Sequence, residues 1–195
     1  MLPEQFFGAW RRRSIAFDGG EPTEPARVLW LQAGDSFADL RVPIASDAQV
    51  EAFAGTTACD PPRLTWTHTV DWHGAFAGFD CGEIAWRDGL MIERGECEFD
   101  GRTSVYEEVW ERIDDGQDRT VLLATDGVMV RVGRYCIAMR DRRPDGGGFA
   151  VRSARLVGND WIDVDVCGDA LSLPVAYATT GDWHVAELSG ASAPR

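Results

Sequence analysis

The chain has 195 residues, 45% of them hydrophobic, with eight tryptophans and nine phenylalanines, so it can fill the core of one large domain. Its formal charge of −13 argues against nucleic acid as a partner, because backbone binding needs clustered cations. All 19 basic residues are arginines, which excludes Schiff-base chemistry, pyridoxal phosphate attachment and a phosphate-loop lysine.

The N-terminus, Met1-Leu-Pro-Glu, shows no basic region leading into an apolar segment, so no export signal is expected. No run of about 18 apolar residues is present to span a membrane as a helix. The five cysteines show no C-x-x-C spacing and read as reduced thiols in a cytoplasmic protein. The first strand runs from Trp10 to about Phe17 and ends in Asp18-Gly19-Gly20. Its basic run, Arg11-Arg12-Arg13, reads as a strand edge or a solvated face.

Residues 28–43, V-L-W-L-Q-A-G-D-S-F-A-D-L-R-V-P, form a hairpin around Gly34-Asp35, the Gly-first pair that a II′ turn accepts. Counting outward pairs Gln32 with Phe37, Trp30 with Asp39 and Val28 with Arg41. One face then carries Val28, Trp30, Gln32, Phe37, Asp39 and Arg41. The other carries Leu29, Leu31, Ala38, Leu40 and Val42. Where a half-exposed hairpin would turn a polar face to water, this one mixes large aromatics with hydrogen-bonding groups, as a ligand cup is lined.

Pro43 breaks the strand, and Ser46 to Ala54 is predicted as the one short helix, capped by Ser46 and closed by Gly55. Strand 63–73 follows Asp60-Pro61-Pro62. Strict alternation along it separates His68 from Asp71, so no dyad is expected within this strand. Residues 83–93 form a hairpin around Asp88-Gly89. In strand 103–113, Tyr106, Glu108, Trp110 and Arg112 share one face, while Val105, Glu107, Val109, Glu111 and Ile113 share the other. The first set reads as a cavity wall, a barrel-interior ion pair or an outer face, and Glu108 is placed to pair with Arg41. A third hairpin, 120–132, turns at Asp126-Gly127. A strand over 134–140, a loop at 144–148 and strands near 150–157, 161–167, 170–177 and 183–188 complete the chain.

Eleven or twelve short strands and a single helix predict an all-β fold, an antiparallel barrel or sandwich. No repeat is visible, so residues 1–195 read as one domain, with 144–148 as the one place for a subdivision into a barrel and an added C-terminal sheet.

Gly8-Ala9-Trp10 resembles the G-x-W start of the lipocalin and wider calycin barrels, in which the tryptophan closes the barrel's base. Val121–Asp126 resembles the second motif of that family, with Gly127 where an aromatic is expected; the third motif, a late arginine, has no clear match. The W-L-Q…D-L-R hairpin, Thr65-Trp66 and Tyr106-x-Glu-Val-Trp-Glu-Arg112 resemble a group of uncharacterised bacterial proteins associated with lipocalin-like barrels, and more distantly a fungal two-barrel kinase-interacting protein. The resemblance implies a lipocalin-like barrel and almost nothing of function.

The leading expectation is a small, partly apolar ligand bound in the cup. Trp30, Phe37, Trp66, Tyr106 and Trp110 would supply apolar area, with Gln32, Asp39, Arg41, His68 and Glu108 around its polar end. The alternative is a cofactor-free isomerase, cyclase or lyase, in which Glu108, Asp39 or His68 moves a proton and Arg41 stabilises negative charge. A third reading, a protein-interaction module, requires the aliphatic hairpin face to be exposed. With three histidines and none at i, i+2 or i+4, no metal site is expected, and His184 as a haem ligand is the weakest reading. No cofactor is expected, and the oligomeric state stays open.

Overall fold

The computed structural model describes residues 2–45, 49–76, 78, 80–99, 101–169, 173–174 and 182–189. Among them are fourteen strands and two short 3-10 turns, Glu4–Phe6 and Arg143–Asp145. Eight strands close a barrel in chain order: β1 (Gly8–Phe17), β2 (Ala26–Ala33), β3 (Ser36–Pro43), β4 (Glu51–Asp60), β5 (Arg63–Asp71), β6 (Asp80–Arg87), β7 (Leu90–Phe99) and β8 (Arg102–Asp114). The other six are β9 (Arg119–Ala124), β10 (Gly127–Val132), β11 (Tyr135–Asp141), β12 (Phe149–Val157), β13 (Asp160–Gly168) and β14 (His184–Ser189). They form a sheet in the order β13-β12-β11-β10-β9-β14. The passage from barrel to sheet falls between Asp114 and Arg119, whereas 144–148 lies in the turn between β11 and β12, inside the sheet.

The β2–β3 hairpin has the expected register: Val28 faces Arg41, Trp30 faces Asp39 and Gln32 faces Phe37. Gly34 takes the positive φ of 54° that the turn needs. Its aliphatic face is buried, with Leu31 and Ala38 fully covered and Leu40 at 2% exposure. These residues share one core with Val130, Val132, Ile137 and Met139 of β10 and β11. The six-stranded sheet therefore covers the outer wall of the barrel. The interaction-module reading, which requires this face to be open, is excluded.

The predicted helix over 46–54 is not formed where it is described: residues 51–54 belong to β4, and residues 46–48 lie outside the described residues. A capping residue and a closing glycine look the same to sequence whether or not a helix joins them. Here Ala52 and Ala54 face the sheet and Phe53 faces the barrel, the alternation of a strand. Gly55 does not cap a helix. A Cβ there would collide with the Thr67 carbonyl oxygen of β5, so the glycine permits a close backbone approach.

That approach accompanies a β-bulge in β5. Gly55 pairs with His68 and Ala54 with Val70, so Thr69 is the extra residue and the alternation reverses beyond it. Val70 and Trp72 turn outward to the sheet, where Trp72 meets Phe149 edge-on at 5.0 Å. Asp71 turns inward. Arg143 fastens this segment by donating to the Asp71 and Trp72 carbonyl oxygens while its guanidinium pairs with Asp141.

Candidate ligand-binding site

The barrel is filled at one end and hollow at the other. Trp10, at the start of β1, is fully buried and donates from Nε1 to the Phe6 carbonyl at 2.9 Å. Arg112 at the end of β8 lies over the Trp10 ring at 4.6 Å and donates to the Gln5 carbonyl at the barrel's base. Val121–Asp126, by contrast, runs through β9 of the added sheet into its turn, outside the barrel. Above Trp10 stacks Trp30, whose ring meets Trp66 and Trp110 edge-on at 5.9 and 5.5 Å. Trp30, Phe37, Trp66 and Trp110 thus form a packed aromatic floor. Gln32 lies at the closed end, outside the cup's lining. It donates to the Gly34 and Ser36 carbonyls and accepts from Thr57 Oγ1, which holds the turn together.

Over this floor opens a cup of about 710 Å³, with a small void of about 20 Å³ beneath it beside Trp30. Arg41, His68, Tyr106 and Glu108 stand around the cup, and Asp39 lines the void beneath it. The charges are sorted into bonded groups. Glu108 takes its tightest ion pair from Arg12 and lies 3.8 Å from Arg41. Arg41 bonds Asp39 at 3.1 Å and lies over the Phe53 ring at 5.0 Å. Arg12, from the run read as an edge or solvated face, is buried at 6% exposure and also grips Glu24 with two nitrogens, at 3.0 and 3.1 Å. Inward alternation with Trp10 explains its place; Arg11 and Arg13 point outward to Glu111.

His68 corrects a second expectation. Its Nδ1 bonds Asp71 at 2.7 Å and its Nε2 bonds Asp80 at 2.8 Å, so the dyad that strict alternation forbids exists because of the Thr69 bulge. The ring is sandwiched between Phe53 and Phe76, each at 4.5 Å. Burial disfavours the charged ring, but bonds to two carboxylates and their charges outweigh it and hold its pKa at about 9. His68 is therefore an imidazolium clamp at neutral pH, donating from both nitrogens.

Glu93 of β7 is the group that sequence reasoning misses. It stands directly opposite Glu108 across β7 and β8, and both side chains face inward. Its partners are neutral: Tyr106 OH donates to Oε1 at 2.9 Å and Trp110 Nε1 to Oε2 at 3.1 Å. Burial, then the charges of Glu108 and Asp80, push its carboxyl well above the usual range. Burial also lifts Asp39 to about 6, against the pull of Arg41. The available signal was two strand-interior glycines. Gly82 and Gly95 face each other across β6 and β7, and side chains there would strike Glu93 and Tyr106. His184 is exposed on the edge strand β14 of the other sheet. Among the described residues no group of three His, Cys, Asp or Glu side chains is arranged to hold a metal ion, and no helix is long and apolar enough to cross a membrane.

Fold and site together define a closed eight-stranded antiparallel barrel with a charged internal cup, backed by a six-stranded sheet. The family model for Protein HRI1 matches residues 9–189, and the chain belongs to that family. No curated protein matches it. Among solved structures the chain is similar to an uncharacterised protein from Bacteroides eggerthii DSM 20697, at 12% identity and a TM-score of 0.39. The match spans 55% of this chain and 98% of that one, a likeness too slight to carry an argument.

Proposed function

We propose that this protein binds a small, partly apolar molecule in a lipocalin-like cup. The observation that carries the reading is the cup itself: about 710 Å³ of space over an aromatic floor, with its polar groups already oriented by one another. Such pre-organisation lowers the ordering cost of binding. The lipocalin-like reading draws support from Trp10 and Arg112 closing the base. The cytoplasm is the proposed compartment, on Cys59, Cys81, Cys97 and Cys167 standing as free thiols. Native mass spectrometry of gently purified protein is expected to show an added small mass. That mass should be absent from Cys97→Trp, a variant that fills the cup from its wall. A wild-type protein that carries no added mass, and whose melting temperature no member of a small-molecule library raises, would refute the reading.

A second reading, a cofactor-free isomerase, cyclase or lyase, is favoured by one observation. Glu93 is a buried acid whose carboxyl is pushed toward its protonated form beside Tyr106 in the same cup, which suits a proton donor. Under that reading Glu93→Gln abolishes turnover and leaves binding measurable.

A further inference from the structure

We infer that the cup's ligand carries an ammonium group and that this group docks against the Glu93 carboxylate. The inference rests on the binding reading above and names the chemical class of the ligand.

Three cations serve the cup, Arg12, Arg41 and His68, and each is bonded to carboxylates of the protein. Arg12 is held by Glu24 and Glu108, Arg41 by Asp39, and His68 by Asp71 and Asp80. Five carboxylates therefore already face three cations, before Glu93 is counted. An anionic ligand would have to pull one of these cations from its partners. A cation meets the opposite situation. Glu93 is 5% exposed, faces Glu108 across the ladder and has only neutral donors bonded to it. Like charges directly opposite on a sheet repel, so the pair needs either a proton or a ligand cation between them. Glu93 borders both the open cup and the void beneath, so an ammonium entering from the mouth reaches it without displacing protein. Phe76 and Tyr106 on the walls present ring surface suited to the apolar body and to a cation.

An independent observation lies under Glu93. Trp30 Nε1, buried beside the small void, donates to no protein acceptor. About 20 Å³ is room for a single acceptor, a water or a ligand hydroxyl next to the ammonium. An amine on an apolar or aromatic arm, with a hydroxyl or one water beside the nitrogen, satisfies carboxylate, indole and walls together.

The test is a head-group series on one apolar body: phenethylamine, 2-phenylethanol and 3-phenylpropanoate, titrated calorimetrically into the full chain near pH 7. The amine is expected to bind tightest and the carboxylate weakest. Because the proton on Glu93 must leave as the ammonium arrives, amine binding should release up to one proton, read as a dependence of the heat on buffer ionisation enthalpy. The charged groups around Glu93 are Glu108, Asp80 and Arg41, with the Tyr106 hydroxyl on β8. Glu93→Gln should weaken the amine by about 10- to 100-fold, remove the proton release and spare the alcohol. If the alcohol or the carboxylate binds as tightly as the amine in wild-type protein, the ammonium assignment is overturned while the binding reading stands. If none of the three binds, the ammonium assignment is overturned, and the binding reading stands or falls on the native mass and the melting-temperature screen. The wild-type series alone decides the matter should the variant fail to fold.

Discussion

Raising the pH should withdraw a stabilising contribution centred on His68. The ring's pKa is held at about 9 against an ordinary 6.5, by bonds at 2.7 and 2.8 Å to Asp71 and Asp80. Because the folded value lies above the unfolded one, the contribution is complete below about pH 6.5 and is lost as pH rises through about 9. Each unit of separation corresponds to about 1.4 kcal/mol, which sets a ceiling of about 3 kcal/mol. The cup opens to solvent at its mouth, and screening there brings the expectation to about 1–2 kcal/mol. Urea unfolding of wild type and His68→Gln across this range isolates the ring, because other groups titrate alike in both chains. The wild-type advantage should shrink by that amount between about pH 6.5 and pH 9. Imidazole nitrogen shifts should show both ring nitrogens protonated at neutral pH. An advantage that stays constant over the range, or a ring that titrates at or below its ordinary value, would refute the imidazolium clamp.

Other residues make further claims. Glu93→Gln should leave stability unchanged or raise it above the ordinary carboxyl range, since burial and neighbouring carboxylates oppose ionisation of the native group there; a loss above about 1 kcal/mol in denaturant melts would show an ionised, stabilising Glu93. Arg12→Met should cost about 3–5 kcal/mol by leaving Glu108 and Glu24 without their shared cation, and the double variant with Glu108→Gln should recover part of it in the same melts. Gly55→Ala should destabilise by about 2–4 kcal/mol, because the new methyl meets the Thr67 carbonyl and β5 must move; a thermal midpoint equal to wild type would contradict the close approach. Leu40→Ala, in the core shared by barrel and sheet, should cost about 2–5 kcal/mol and lower one common calorimetric transition, whereas two resolved transitions would show that the halves unfold separately.

Period-two alternation carried the sequence reading wherever strands ran unbroken. It placed the Val28–Arg41, Trp30–Asp39 and Gln32–Phe37 pairs of the β2–β3 hairpin and put Tyr106, Glu108 and Trp110 on one shared face of β8, the face that the structure turns inward. It failed where the ladder slips. The extra residue at Thr69 reverses Asp71 and Trp72, which no count along β5 can reveal because the cause is a neighbouring glycine on β4. Arg12 and Glu93 were missed for a different reason. A charged residue in a strand reads as solvent-facing until a buried counter-charge or a buried proton is known, and both depend on strands distant in the chain. In hindsight Gly82 and Gly95, side chains deleted from mid-strand, marked the spot where Glu93 and Tyr106 press against the wall.

The bulge at Thr69 also gives three consecutive residues two audiences. Asp71 holds the histidine at the cup's rim, while Val70 and Trp72 on either side of it are seated in the sheet, and Arg143 grips the backbone between them. A displacement of the rim cannot stay in the barrel, because the same short span is anchored in the other half. It works as a fulcrum, so that occupancy of the cup should register as slower amide exchange around Trp72 and Arg143, on a surface no ligand touches.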